Sequence, residues 1–244
     1  MRLDIFLTEH GFCQSRTEAK NLILAGSVKY LDKVITKASF DIPDNATEVS
    51  CDRSSIRFVS RGGEKLFYAL NEFKIEVKGK IAVDVGASSG GFTDCLLQSG
   101  ASHVFSVDSG SGQIAEVLRK DQRVTVYERY NARYMKCEDF SDVPELAVMD
   151  VSFISATLIM PALYSTLSDK ADFICLIKPQ FEVGKSGLGK GGIVKDDKIR
   201  KNAVEKVILF AESLGFTLKG LIRSPILGGD GNIEFLAYLR KEKT

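Results

Sequence analysis

Apolar and polar residues follow two different patterns along the chain, and the change falls near residue 60. In the first part, helical spacing of apolar residues over 2–7 and 15–26 predicts two amphipathic helices. Three short runs of strand-forming residues follow, at 27–31, 33–36 and 47–51. We therefore expect a small α+β domain over residues 1–60, with a connector near residues 52–59.

The second predicted helix carries signals at both ends. Ser15 suits the N-cap, Glu18 stands three residues later where a capping box needs it, and Gly26 provides a C-terminal stop. Together these residues predict a helix that begins at Ser15 and ends at Gly26.

From residue 61 to residue 244, strands alternate with helices. The predicted strands are 80–85, 103–108, 123–127, 146–150, 172–177, 216–223 and 233–239. The predicted helices are 63–73, 91–99, 112–119, 154–166 and 196–213. This alternation implies a mainly parallel sheet with right-handed crossovers. Residues 224–232 are too few for a helical crossover, so the seventh strand must run antiparallel. The fold class is therefore α/β, with a Rossmann-like sheet of six parallel strands and one antiparallel strand.

The turn after the first strand of this larger domain is rich in glycine, and an acid precedes it. A loop that binds pyrophosphate relies on bare amides and a helix N-terminus, and the carboxylate of Asp84 would repel phosphate. The acid favours a ligand with a cationic amino group and no phosphate, such as S-adenosylmethionine. Gly86 and Gly90 would let the backbone approach that ligand, because glycine has no Cβ. The alternative is a plain tight turn between strand and helix.

Composition limits the classes of function. The 244 residues carry a net charge of +1, so any RNA binding must use local patches rather than a generally basic surface. Five scattered cysteines predict reduced thiols in a cytosolic protein, and two histidines argue against a metal cluster or a histidine triad. Charges at Arg2, Asp4 and Glu9 argue against a signal peptide. The uncharged stretch 151–168 contains Pro161 and fits a buried connection better than a membrane span. We expect a cytoplasmic protein with no membrane partner.

Polar residues stand where the predicted strands end, and ligands bind at the carboxyl ends of parallel strands. Asp108 ends the second strand, where an acid can bind ribose hydroxyls or simply cap a loop. Asn131 follows the third strand and is placed to approach an adenine. Asp150 and Lys178 end the fourth and fifth strands. A lysine at the end of an apolar strand is expected either to form a salt bridge or to have a functional role.

Two further ionisable residues belong to the same edge. Glu234 opens the antiparallel strand, so its start lies beside the ends of the parallel strands. Lys65 leads the helix before the first strand and could lie across that edge.

The first sixty residues resemble a known RNA-binding family. Arg2-Leu-Asp-x-x-Leu, followed by Ser-Arg16-x-x-Ala-x-x-Leu-Ile-x-x-Gly-x-Val, resembles the alpha-L motif of the ribosomal protein S4 type. The resemblance implies RNA contacts for Arg2, Arg16 and Lys20; for each charge the alternative is a solvated helix face. The family turns its hairpin with Val-Asn-Gly, whereas Tyr30-Leu31-Asp32 lacks the strong type I′ signal. Eight basic and eight acidic residues over 1–60 predict weak binding by this domain alone.

The larger domain resembles ribose 2′-O-methyltransferases of the FtsJ type, which carry a Lys–Asp–Lys–Glu quartet. The quartet here would be Lys65, Asp150, Lys178 and Glu234. The whole chain resembles the TlyA group, also called haemolysin A, through the following motifs: Ser-Arg61-Gly-Gly-x-Lys-Leu, Asp-Val-Gly-Ala-Ser88-x-Gly-Gly-Phe92-Thr-Asp, Asp-Val-Ser-Phe-Ile-Ser, Leu-Ile-Lys-Pro-Gln-Phe-Glu and Gly-Asn-Ile-Glu-Phe. Ser89 replaces a usual threonine, and Ser109-Gly-Ser-Gly112 replaces Val-Gly-Tyr-Gly.

This resemblance implies methylation of ribose 2′-hydroxyls, usually of cytidine, in 16S and 23S ribosomal RNA. The implied cofactor is S-adenosylmethionine, and we add Ser88 and Phe92 to its predicted contacts. Arg61 joins the predicted RNA contacts. Lys178 is our candidate base, although the final proton acceptor stays open. A free lysine is protonated at neutral pH. The positive charges of Lys65 and of the sulfonium would therefore have to favour loss of the proton from Lys178, while Asp150 orients the Lys178 side chain. Glu234 would balance Lys65.

Residues 184–201 form a basic segment that nearly spells a phosphate-binding P-loop. Gly191 stands where a serine or threonine must reach magnesium, which argues against an NTPase. The segment holds six basic and two acidic residues with five glycines. We expect Lys185 and Lys190 to contact RNA phosphate; the alternative is a mobile, solvated lid.

The sequence also bears on other methyl acceptors and on other classes of function. Amino-group methyltransferases commonly carry Asp/Asn-Pro-Pro-aromatic where this chain has Asp150-Val-Ser-Phe. Carbon-5 pyrimidine methyltransferases need a nucleophilic cysteine near the fourth or fifth strand, but Cys175 lies inside an apolar strand and is expected to pack there. A non-catalytic RNA-binding or ribosome-assembly factor is the main alternative, and a haemolysin is the third. The modified nucleotide, the choice of one or both ribosomal subunits, and the state as monomer or homodimer stay open.

Overall fold

The structure is a computed structural model that divides into two compact units, Met1–Glu64 and Lys65–Thr244. It describes residues 1–13, 16–52, 57–184, 187–228 and 231–242, without the side chain of Thr17. Within this part of the chain, none of the helices combines the length and the apolar character needed to span a bilayer.

The first unit packs two helices against a small antiparallel sheet. Its elements are α1 (Leu3–Glu9), α2 (Arg16–Leu24), β1 (Val28–Tyr30), β2 (Lys33–Val34) and β3 (Val49–Cys51), with strand order β2-β1-β3. Leu3, Phe6 and Leu7 of α1 are buried against Ile23 and Val28, which follows from the helical spacing of the apolar residues. The three strands are shorter than predicted, and the predicted N-cap Ser15 lies outside the described residues.

The turn between β1 and β2 adopts a geometry that its sequence did not signal. Tyr30 pairs with Lys33, so Leu31 and Asp32 form a two-residue loop. Their φ angles are 50° and 60°, and a type I′ turn needs positive φ at both positions. The amide of Leu31 donates to the carbonyl of Glu48 at 3.1 Å. Pairing on both sides of β1 therefore holds a leucine in a conformation that it seldom adopts alone.

The second unit is built on a seven-stranded sheet, and its first helix begins just before the unit boundary. The helices are α3 (Arg61–Glu72), α4 (Gly91–Gln98), α5 (Glu116–Arg119), α6 (Met160–Thr166), α7 (Pro179–Glu182) and α8 (Asp197–Ser213). The strands are β4 (Ile81–Val85), β5 (His103–Val107), β6 (Val124–Tyr127), β7 (Leu146–Met149), β8 (Asp172–Ile177), β9 (Phe216–Arg223) and β10 (Phe235–Lys241).

The strand order is β6-β5-β4-β7-β8-β10-β9. Strands β4 to β8 pair in parallel, whereas β10 is antiparallel to both β8 and β9. Six strands therefore share one direction and β10 opposes them, which confirms the predicted α/β methyltransferase-like sheet. All residues of β7 and β8 are buried, as expected for central parallel strands covered on both faces.

Three segments differ from the predicted helices. Only Glu116–Arg119 of the predicted helix 112–119 is helical, because the chain before it folds into a loop in which Gly112 has a φ of 68°. The predicted helix 154–166 is divided into a 3-10 turn, Ala156–Leu158, and then α6. Helix α7 was not predicted; its four residues are too few to show a helical period.

Candidate active site

The glycine loop after β4 comes very close to the chain that follows β7. Gly86 has a φ of 86°, and a Cβ built on it would lie 2.6 Å from the carbonyl oxygen of Asp150. Gly90 has a φ of 92°, and a Cβ there would collide with Leu118 of α5. Both the left-handed backbone and the lack of space require glycine at these positions. The loop is therefore shaped by its glycines, through contacts with the chain after β7 and with α5; the predicted approach of Gly86 and Gly90 to a cofactor stays a prediction.

Asp84 lies beneath this loop and is completely buried. Its Oδ2 accepts a hydrogen bond from Thr93 Oγ1 at 2.7 Å, and Thr93 Oγ1 also lies 2.7 Å from Ser106 Oγ. Among the described residues, Asp84 Oδ1 has no hydrogen-bond partner. Burial raises the pKa of Asp84 to about 7, against the opposing effect of the Thr93 hydrogen bond. The contact of Asp84 with a cofactor amino group stays a prediction.

A cleft of about 760 Å³ opens at the carboxyl ends of β4, β5 and β7. Four of the predicted cofactor residues line it: Gly86, Ser88, Asp108 and Asn131. The cleft wall does not include the other three, which are Asp84, Gly90 and Phe92. Phe92 is buried in α4. Asp150 also lines the cleft, whereas the other three predicted catalytic residues, Lys65, Lys178 and Glu234, do not.

Asp108 and Asn131 already make hydrogen bonds to backbone amides, and one of those to Asp108 comes from the glycine loop after β4. Asp108 Oδ2 accepts from the Ser88 amide at 2.8 Å, and Oδ1 accepts from the Gly110 amide at 2.7 Å. Asn131 Oδ1 accepts from the Arg133 amide at 3.2 Å. The loop-capping interpretation of Asp108 is thus observed, but each carboxylate oxygen can still accept a second hydrogen bond.

The four ionisable residues of the predicted quartet form two ion pairs. Lys178 Nζ lies 2.6 Å from Asp150 Oδ1, and Lys65 Nζ lies 2.5 Å from Glu234 Oε2. Lys65 and Glu234 are buried, with 8% and 2% of their surfaces exposed. Gln180 of α7 joins the second pair, because its Nε2 donates to Glu234 Oε1 at 3.3 Å. Buried charges need such partners, and each pair carries no net charge.

Sequence reasoning missed two residues beside Lys178. Lys178 Nζ donates to Ser152 Oγ at 2.8 Å, so Ser152 helps to fix the ammonium. Phe153, next to it, has a φ of 64° and is 92% exposed. Its ring centroid lies 5.2 Å from that of Phe181 in α7. Both residues stand in the Asp-Val-Ser-Phe run, which signals a strand end but not the direction of either side chain.

Two predicted RNA contacts of the first unit share one buried acid. Arg2 Nε lies 2.9 Å from Asp4 Oδ1, and Arg16 lies 3.2 Å from Asp4 Oδ2. The hydrogen bonds from Arg2 lower the pKa of Asp4 to about 2. Lys20 is exposed on α2, and Arg61 is half-buried in the first turn of α3.

The basic segment after α7 is anchored beside β10. Lys190 is exposed on a 3-10 turn, Lys190–Gly192, while Lys185 lies outside the described residues. Asn232 donates to the carbonyl of Gly192 at 3.1 Å and accepts from the amide of Val194 at 3.0 Å. Helix α7 separates the segment from β8, so it lacks the strand–loop–helix context of a P-loop.

Two family models match the chain: the FtsJ-like methyltransferase model over residues 58–241 and the S4 domain model over residues 1–47. The YqxC protein of Bacillus subtilis (strain 168) is 47% identical over 243 residues, which cover 98% of this chain and 85% of that protein. The 16S/23S rRNA (cytidine-2′-O)-methyltransferase TlyA of Mycobacterium tuberculosis is 42% identical over 241 residues, covering 99% of this chain and 90% of that protein. A solved structure from Streptococcus thermophilus is 42% identical with a TM-score of 0.80, covering 100% of this chain and 89% of that one.

Proposed function

Because the chain belongs to the FtsJ-like methyltransferase family, we propose that it transfers methyl groups from S-adenosylmethionine to ribose 2′-hydroxyls of ribosomal RNA, with cytidine as the preferred nucleotide. The Mycobacterium tuberculosis relative is named for this activity on 16S and 23S rRNA. The observation that carries the proposal is the pair of lysine–carboxylate contacts, Lys178 with Asp150 and Lys65 with Glu234, at the carboxyl edge of the sheet.

The residues of the cleft fit the proposed cofactor. Gly86 lines the cleft, and its lack of a Cβ lets the loop pack against the carbonyl of Asp150, which lines the same cleft. Asp108 lines the cleft with oxygens that can accept from ribose hydroxyls. When bound, S-adenosylmethionine supplies an electrophilic methyl group on a sulfonium. Its positive charge suits a cleft whose wall includes the carboxylates of Asp108 and Asp150.

The acceptor hydroxyl must lose its proton as its oxygen forms the bond to the methyl carbon. In the proposed mechanism, Lys178 first loses a proton to solvent and its neutral amine then receives the hydroxyl proton; alternatively, Lys178 stays an ammonium and donates a hydrogen bond to the oxygen while solvent takes the proton. Asp150 and Ser152 fix the direction of the Nζ, at 2.6 and 2.8 Å. Lys65, held by Glu234, contributes a second positive charge that favours the anionic oxygen.

Phe153 provides a candidate surface for the base that carries the acceptor ribose. An exposed aromatic ring beside the cleft can stack on a nucleobase, and such stacking tolerates any base. We therefore assign Phe153 to the acceptor side of the site.

Binding of structured RNA is proposed for the S4-type unit through Arg2, Arg16 and Lys20. Lys190 and Arg61 are the proposed contacts of the remaining chain, with Lys185 beyond the described residues. We propose a domain boundary at residues 60 and 61, at the start of α3, so that this helix, which crosses the division after Glu64, belongs whole to the second domain. A ribosomal substrate implies that the protein works in the cytoplasm.

The deciding experiment incubates isolated 30S and 50S subunits, and their naked 16S and 23S RNA, with methyl-labelled S-adenosylmethionine and maps 2′-O-methyl nucleotides. Label at a ribose 2′-oxygen supports the proposal. Cofactor binding without transfer to any of these RNAs would favour the assembly-factor alternative, and leakage of vesicles would favour the haemolysin.

A further inference from the structure

Helix α7 follows Lys178 directly and reaches back to the loop that follows Asp150. Glu182, the last residue of α7, is only 8% exposed. Its Oε2 accepts a hydrogen bond from Ser155 Oγ at 2.5 Å, and its Oε1 accepts from the Ala156 amide at 2.8 Å. Ser155 and Ala156 begin the 3-10 turn after β7. One side chain therefore ties the loop after β8 to the loop after β7.

Glu182 is a buried acidic residue whose two hydrogen-bond donors are both neutral groups. Among the residues that the structure describes, no lysine or arginine forms an ion pair with it. A buried carboxylate without a counter-charge is unfavourable even when neutral donors satisfy its oxygens. What the carboxylate provides is two acceptor oxygens without a competing donor, directed at a hydroxyl and an amide on consecutive residues.

The loop that Glu182 holds is the loop that contacts Lys178. We define the acceptor loop as residues 151–155. Its near end is fixed by Lys178, which contacts Asp150 and Ser152. Its far end is fixed by Glu182. Between these anchors lies Phe153 with a φ of 64°, a conformation that persists only where the surroundings hold it.

We propose that Glu182 is a positioning residue that holds the acceptor loop so that Ser152 aligns the Lys178 ammonium and Phe153 projects toward the acceptor nucleotide. The inference rests on the proposed methyl transfer. Without the brace, the far end of the loop loses both hydrogen bonds and the bend at Phe153 relaxes. Ser152 and Phe153 then shift relative to Lys178, and displacements near 1 Å can slow catalysis by about 100-fold.

The test measures single-turnover methyl transfer to ribosomal subunits, the KM for the RNA substrate, the Kd for S-adenosylmethionine and the melting temperature. Glu182→Ala should slow transfer by about 10- to 100-fold and raise the KM for RNA, while the cofactor Kd stays at the wild-type value. Ser155→Ala removes one of the two hydrogen bonds and should give an intermediate loss.

Glu182→Gln should recover most of the rate. Its carbonyl oxygen can accept from Ala156, and its amide can donate to Ser155 Oγ, whose own hydrogen can turn to Thr157 Oγ1 at 2.7 Å. Asp172 offers a matched control, since it is a buried carboxylate at the opposite edge of the same sheet. It accepts from Lys80 Nζ at 2.7 Å and from the Tyr238 hydroxyl at 2.8 Å. Asp172→Ala should lower the melting temperature and leave the rate unchanged.

The outcomes separate cleanly. Slow methyl transfer by the Glu182→Ala variant, with a wild-type Kd for S-adenosylmethionine and recovery of the rate in Glu182→Gln, supports the proposed role of Glu182. Wild-type turnover by Glu182→Ala overturns it, and so does an equal rate loss in Asp172→Ala at a matched loss of stability. If the wild-type protein itself transfers no methyl group, the proposed function fails instead.

Discussion

Lys178 Nζ contacts Asp150 at 2.6 Å and Ser152 at 2.8 Å. A group that acts in general acid–base catalysis must be held in a fixed position, and these two contacts provide that. Lys178→Ala should reduce methyl transfer by at least about 100-fold, within the range attributed to general acid–base groups. Binding of S-adenosylmethionine should survive, because Lys178 is not among the residues that line the cleft. Transfer from labelled cofactor and calorimetric titration measure the two properties.

A matched lysine tests whether this loss is specific. Lys80 also pairs with a buried acid, Asp172, at 2.7 Å, but at the opposite edge of the sheet. Lys80→Ala should retain the wild-type rate. Wild-type turnover by Lys178→Ala would remove Lys178 from the mechanism.

The buried acid Asp84 makes stability depend on pH. Its pKa is about 7 in the folded chain, against an ordinary value of 3.8. Between these values the folded chain holds a proton that the unfolded chain has lost, so its contribution to stability is present below pH 4 and is lost as the pH rises through 7. The slope approaches about 1.4 kcal/mol per pH unit. Asp84→Asn keeps an acceptor for Thr93 without the titrating proton.

Urea unfolding at several pH values from 5 to 8 measures this effect. The free energy of unfolding of the wild-type chain, relative to Asp84→Asn, should decrease as the pH rises from 5 toward 7 and should level off above pH 7. Parallel curves for the two proteins would show that Asp84 does not titrate in this range.

At the scale of elements, the glycine loop between β4 and α4 depends on close contact with the chain after β7. Gly86→Ala places a Cβ 2.6 Å from the Asp150 carbonyl oxygen, in a backbone with a φ of 86°. We expect the loop to shift and the affinity for S-adenosylmethionine to fall at least about tenfold, which corresponds to 1.4 kcal/mol.

The variant Gly79→Ala is a control that distinguishes the effect of backbone strain from the effect of the steric collision at Gly86. Gly79 has a φ of 76°, and a Cβ there would meet nothing within 4 Å. Gly79→Ala should therefore lower stability by about 1 kcal/mol and leave cofactor affinity unchanged. Equal affinities in the two variants would contradict the role of the close approach at Gly86.

The sequence predicted the sheet because strand periods, glycine turns and strand-end polar residues are local signals. It placed Asp150, Lys178 and Glu234 at one edge from chain direction alone, and in the structure Asp150 pairs with Lys178 and Glu234 pairs with Lys65. It could not predict the brace at Glu182, because that contact joins residues 26 to 27 positions apart through side-chain geometry. Nor could it predict the exposure of Phe153, which depends on a left-handed backbone that phenylalanine rarely adopts.

At the scale of the whole molecule, the net charge is only +1, so RNA affinity must come from particular groups. The candidates differ in how much of their charge is available. Lys20 and Lys190 are exposed. Arg16 also reaches the surface, but its guanidinium lies 3.2 Å from the ionised Asp4, which offsets part of its charge. The three residues should therefore contribute unequally to phosphate binding.

Lys20→Ala and Lys190→Ala should each weaken binding to ribosomal RNA and reduce the slope of log affinity against log salt by about 1, as expected for one lost phosphate contact. Arg16→Ala should reduce that slope by less, because the Arg16 guanidinium already pairs with Asp4 and is less available to a phosphate. Lys78 is an exposed lysine before β4, at the edge opposite the cleft, and Lys78→Ala is the control with an unchanged slope. Filter binding over a series of salt concentrations measures all four. A single slope shared by every variant and the wild-type chain would mean that none of these residues meets phosphate, and RNA affinity would then have to come from contacts other than these charges.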